Sequence, residues 1–115
     1  MVAELILETC VALREGREEN ACTAFSGIIA EAADNEALQA ISCCLLVALR
    51  HRQRQLFAAW MQASRLRLEQ LLVNPQLARQ GGSVLLQLAF AVCDRRLSEE
   101  RAALALLARR WLRTH

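Results

Sequence analysis

Lysine and tyrosine are missing from this chain altogether, and proline occurs once, at Pro75. One proline leaves almost the whole sequence free to be helical, since an interior proline costs a helix about 3 kcal/mol. Glycine is nearly as scarce, at Gly16, Gly27 and the pair Gly81-Gly82. That pair precedes Ser83 in no phosphate-binding pattern. The five cysteines contain no CxxC, and His51 and His115 are the only histidines. No paired-ligand spacing results, so neither a zinc site nor any other metal or cofactor is expected. A catalytic set is missing too. Asp94 beside Cys93, with His51 far off in sequence, has no spacing logic, and the acid pairs Glu18-Glu19 and Glu99-Glu100 read as helix starts. The chain is therefore read as a non-enzyme whose function lies in what it binds. Long apolar runs are lacking as well. The stretches Ile41–Leu49 and Val84–Cys93 are too short or are interrupted by Ser42 and Gln87, against the roughly 20 residues that span a bilayer. The opening MVAELILETC carries Glu4 and no basic n-region, so no signal peptide is expected. An odd number of cysteines, mostly within apolar runs, fits reduced thiols acting as small hydrophobes in a cytosolic protein.

What is present is alanine, leucine and charge of uneven sign. The 115 residues suit one domain, 1–115, with a modest core. Apolar residues make up 55%, above the usual soluble range of about 45–50%. Such an excess fits either a tight all-α core or an apolar groove that needs a partner. The net charge of +2 hides a division. Residues 1–36 hold eight acids against Arg14 and Arg17, a net of −6, and residues 37–115 hold twelve arginines against four acids, a net of +8. Such polarity fits solvated helix faces, complementarity to a partner, or a nucleic-acid face.

Periodicity divides the chain into about six helices. Val2 to Glu15 carries an apolar stripe of Val2, Leu5, Ile6, Thr9, Cys10 and Leu13. Gly16 suits the left-handed position beyond a helix end, and so short a connection turns the second helix, about Arg17 to Ala32, back antiparallel. Ala21, Phe25, Ile28 and Ile29 form that helix's inner stripe, and mid-helix Gly27 marks a close approach to a neighbour. Asp34 or Asn35 is expected to cap a third helix running to about His51. Leu38, Ile41, Leu45 and Leu49 give it one stripe, and Ala37, Ala40, Cys44, Val47 and Ala48 a second. A helix apolar around most of its girth is either central or holds a partner on its second side. The interval His51–Gln55 is a turn or a solvated part of one long helix. Leu56, Phe57, Trp60, Met61, Ser64, Leu68, Leu71 and Leu72 continue the period until Asn74-Pro75 ends it. Residues 74–83 read as loop, Val84 to Arg96 as a fifth helix, and Ser98 as the cap of a sixth. The fold class expected is all-α, with three antiparallel pairs in a tetratricopeptide-like α-solenoid of about 35 residues per pair.

Three segments carry a family resemblance: REENAC (Arg17–Cys22), EALQAI (Glu36–Ile41) and CDRRL (Cys93–Leu97). With their order and the chain length, the sequence resembles the small tetratricopeptide-like chaperones that hold the needle subunit of bacterial type III secretion systems. The turn after helix three, Arg50–Arg52, lacks the glycine of that pattern. The resemblance implies a cytoplasmic chaperone that sequesters the amphipathic C-terminal helix of a needle subunit and prevents premature polymerisation, with a second small chaperone completing the complex. First helices of the pairs line the concave side of such solenoids, and helix-in-groove binding needs spaced apolar anchors. The groove residues expected are Ile6, Cys10 and Leu13 of helix one, Ala37, Ala40, Cys44 and Val47 of helix three, and Phe90 of helix five. Two other readings stand beside it: an arginine-rich nucleic-acid-binding regulator using Arg50, Arg52, Arg54, Arg65 and Arg67, or Arg95, Arg96, Arg109, Arg110 and Arg113, and a helical homo-oligomeric adaptor. The acidic N-terminal third and the lack of a helix-turn-helix pattern weigh against nucleic acid, and no membrane partner is expected.

Overall fold

A chain so poor in proline and glycine has helix as its regular structure in the described parts, with short turns between. The computed structural model describes residues 1–77, 79, 84, 85, 87–89 and 98–113, with no strand among them. Its regular helices are α1 (Val2–Glu15), α2 (Glu18–Glu31), α3 (Asp34–Arg50) and α4 (Arg54–Leu72), followed by a last described helix, Ser98–Arg113. No described helix is long and apolar enough to cross a membrane. Of the expected fifth helix, Val84, Leu85 and Gln87 to Ala89 are helical, and the remainder lies outside the described residues.

Gly16 closes the first hairpin. It sits at φ 75°, ψ 17°, in the left-handed region. The Gly16 N–H donates to Leu13 O at 3.3 Å and the Arg17 N–H to Ala12 O at 2.8 Å. This is the paired Schellman arrangement, which satisfies two carbonyls that the helix end would orphan. The second hairpin closes the same way without a glycine. Arg52 has φ 58°, its N–H donates to Leu49 O, and the Gln53 N–H donates to Ala48 O, each at 3.0 Å. The interval His51–Gln55 thus holds a turn, His51–Gln53, and Arg54 and Gln55 already belong to α4. Donors and acceptors of the two turns lie thirty-six residues apart in sequence, and Ala12-Leu13 recurs as Ala48-Leu49.

Each hairpin packs on the other helix to helix. α1 contacts α3, α2 contacts both α3 and α4, and the last described helix contacts α4. Phe25 of α2 and Trp60 of α4 stack with ring centroids 4.3 Å apart and planes 7° from parallel. The Trp60 indole N–H donates to Cys22 Sγ at 3.5 Å, so the indole's polar edge is not stranded in the packed layer. Between α1 and α2, a methyl on Gly27 would come within 3.3 Å of Leu5 Cδ1, the close approach that a mid-helix glycine implies.

α3 is the centre of the molecule. Ala37, Leu38, Ala40, Ile41, Cys44, Leu45, Leu46, Ala48 and Leu49 are all buried in the core, as is Ser42. Its apolar girth is therefore met by α1, α2 and α4 of the same chain. Two sequence expectations are corrected nearby. Neither Asp34 nor Asn35 caps α3; the cap position is Ala33, with no side-chain hydrogen bond. Asp34 instead meets Arg67 of α4, whose guanidinium donates to Asp34 Oδ1 at 3.1 Å, to Ala32 O at 2.6 Å and to Ile29 O at 2.8 Å. A cation placed on the last carbonyls of α2 complements that helix's dipole. The second correction concerns residues 74–83. Pro75–Leu77 is helical, with Asn74 Oδ1 accepting from the Gln76 N–H at 3.0 Å. Asn74 is a side-chain cap and Pro75 takes the first helical position, where its missing N–H costs nothing.

Candidate partner-binding surface

The sequence places eight residues in a groove, and the fold sorts them into two groups. Leu13, Ala37, Ala40 and Cys44 are buried within the chain. The small residues of α3 let α3 lie close to its own neighbours. Ile6, Cys10 and Val47 are half-buried, and Cys10 lies close to Cys43 of α3. Phe90 lies outside the described residues.

Cys43 belongs with the second group. It is half-buried, whereas its neighbour Cys44 is fully buried, so the outward face of α3 runs Gln39, Cys43, Val47, Arg50. A helix turns 100° per residue, and a phase error of one residue exchanges a groove position for a core one. Ile6 and Cys10 on α1, with Cys43 and Val47 on α3, are each one turn apart along their helix. Cys10 lies close to Cys43 where α1 meets α3, with Ile6 and Val47 half-buried one turn from them on their own helices.

The thiols at the α1–α3 contact are chemically quiet. Burial pushes Cys10 above its ordinary value. Burial, then the proximity of Cys10, does the same for Cys43. Cys44 is pushed up to about 12, chiefly by burial and then by Cys10, with the Thr9 hydroxyl partly offsetting these. Near neutral pH all three are neutral thiols that pack as small hydrophobes. No group of His, Cys, Asp and Glu able to hold a metal occurs among the described residues.

A second open feature lies between α1 and α2. A shallow cleft of about 610 Å³ is lined by Leu7, Glu8, Val11, Glu19, Thr23 and Ala24, among others. Leu7 is 65% exposed at its edge. Sequence reasoning passed over Leu7 and Val11 because they lie behind the main α1 stripe. The available signal was an apolar residue on the polar face of an amphipathic helix.

The arginines of the expected basic stripe are partly committed. Arg67 is held by α2 and Asp34, and Arg65 pairs with Glu69 at 3.2 Å. Compared with family models, curated proteins and solved structures, the chain matches none.

Proposed function

We propose that the chain is a cytosolic chaperone of the type III secretion needle-subunit class, a non-catalytic module that sequesters an amphipathic helix. One juxtaposition carries the reading: half-buried Ile6 and Cys10 on α1 and half-buried Cys43 and Val47 on α3, with Cys10 close to Cys43. Side chains one turn apart on two adjacent helices offer the spaced apolar contacts that a helix laid along them needs. The thirty-six-residue recurrence of the hairpin turn supports the tetratricopeptide-like solenoid, in which first helices share one face. A second small chaperone would complete the complex, as the resemblance implies.

The test is co-purification from the native cytosol, with mass identification of small helical partners. The tagged chain is expected to bring down a needle-like hairpin, and Val47→Glu to lose it with the fold unchanged by circular dichroism. A chain that retains its partner through both Val47→Glu and Ile6→Glu does not use these positions. One that captures no helical hairpin is not this chaperone.

A further inference from the structure

The first helices of the two hairpins end alike, and the second helices do not share that ending. α1 carries Val11-Ala12-Leu13-Arg14 near its C-terminus and α3 carries Val47-Ala48-Leu49-Arg50, thirty-six residues on. Arg14 and Arg50 thus stand in the last turns of α1 and α3, whereas α2 and α4 have no basic residue there. Complementing the dipole would serve all four helices equally, so it does not account for this sorting. Both arginines are exposed, and neither has an ion pair among the described residues.

Direction and phase bring the two arginines to one end of the apolar positions. The connections Gly16–Arg17 and Ala32–Ala33 are two residues each, and so short a link reverses the chain. α1 and α3 therefore run parallel. Arg14 lies one turn beyond Cys10, and Arg50 one turn beyond Val47. Glu36 lies seven residues before Cys43, on the same line of α3, and is exposed. That line therefore runs from acid through Gln39, Cys43 and Val47 to base. The other charges nearby are taken or face elsewhere. Asp34 is held by Arg67, and Glu15 and Arg17 pair with each other. Glu8 lines the cleft toward α2, Glu4 falls about 200° around α1 from Ile6, and Arg52 shares a hollow with Glu18.

We infer that the helix bound at Ile6, Cys10, Cys43 and Val47 carries acids in its first turn and bases in its last, and lies antiparallel to α1 and α3. Its acids meet Arg14 and Arg50, and its basic end meets Glu36. This rests on the helix-binding reading above and names the charge pattern of the partner. Acids first and bases last is the order a helix dipole favours, and the antiparallel orientation sets the partner's dipole against those of α1 and α3. Glu36 and Arg50 lie about 21 Å apart along the helix, so the bound helix is about four turns long. Exposed pairs add little affinity each, and their effect is on orientation and encounter.

Fluorescence anisotropy of the full chain with two labelled synthetic peptides tests it. Both are amphipathic helices about four turns long, with leucines on one face and a hydrocarbon staple on the other. One has glutamates in its first turn and arginines in its last, and the second has these two sets exchanged. The first is expected to bind about tenfold more tightly at low salt, and the gap to close in high salt. Arg14→Gln with Arg50→Gln should abolish the preference, and Arg14→Glu with Arg50→Glu should reverse it, with helical content unchanged by circular dichroism. Equal binding of the two peptides by the wild-type chain overturns the inference, as does a preference that survives the double glutamine variant. Val47→Glu separates that failure from failure of the binding surface. If it loses both peptides while the wild type shows no preference, the surface stands and only the charge pattern falls. If the wild type binds neither peptide, or Val47→Glu binds both as the wild type does, surface and charge pattern fall together.

Discussion

At the scale of single residues, the two hairpin turns form a natural pair of experiments. Gly16 and Arg52 occupy the same left-handed position with φ of 75° and 58°. A side chain there costs about 1–2 kcal/mol. A methyl on Gly16 would meet nothing within 4 Å, so the backbone alone decides the outcome. Gly16→Ala should destabilise the chain by about 1 kcal/mol in urea unfolding. Arg52→Gly should stabilise it by about 0.5–1 kcal/mol, the relief of strain exceeding the extra freedom of glycine in the unfolded chain. Cys44 makes a different test. Its thiol is held at about 12 against an ordinary value of 9.0. The unfolded chain therefore ionises first as the pH rises, and stability is complete below pH 9 and declines from there toward pH 12. An alkaline titration followed by circular dichroism should find this decline. Cys44→Ala, with no proton to lose, should be flatter over the same window. Gly16 was legible in the sequence because glycine is the residue type that position favours. Arg52 was not, since nothing in its chemistry marks a left-handed site and only the finished hairpin requires one.

At the scale of elements, Arg67 fastens α4 to the connection between α2 and α3. It makes three hydrogen bonds, two of them to carbonyls near the end of α2. Hydrogen bonds from a charged donor contribute about 1.5–3 kcal/mol where they are shielded. Arg67 is partly exposed, which places the expected loss for Arg67→Met near the lower end, about 2 kcal/mol, readable as a lower midpoint in urea. Arg67→Lys should recover only part of it, because an ammonium group lacks the planar fork that reaches three acceptors on two segments. Helix existence and most boundaries followed from periodicity: α1 spans Val2–Glu15, as the apolar stripe and Gly16 require. The phase of α3 did not follow. A helix apolar on most faces gives period analysis no dominant direction, so Cys44 and Cys43 could be told apart only by what packs against them. The Arg67 contact was equally hidden, since its partners lie 33 to 38 residues away in sequence.

At the scale of the whole molecule, two of the open features among the described residues border α1, and most of α3 is covered. The candidate surface lies where α1 meets α3 and the cleft where α1 meets α2, so one helix borders both. The sequence pointed to the first of these through Ile6, Cys10 and Val47. The second was signalled only by Leu7 and Val11, apolar residues behind the main α1 stripe. Covering α3 on nearly every side has a consequence in time as well as in space. Repeat proteins usually come apart unit by unit, because each unit touches only its neighbours. Here α3 contacts α1, α2 and α4, so its amides cannot meet solvent while either hairpin holds. In native-state hydrogen exchange the slowest amides should be those of Ile41 to Leu49, and α1 and α4 should share one common slow limit with them. Such a chain opens as one unit, and its central helix is the last part to exchange.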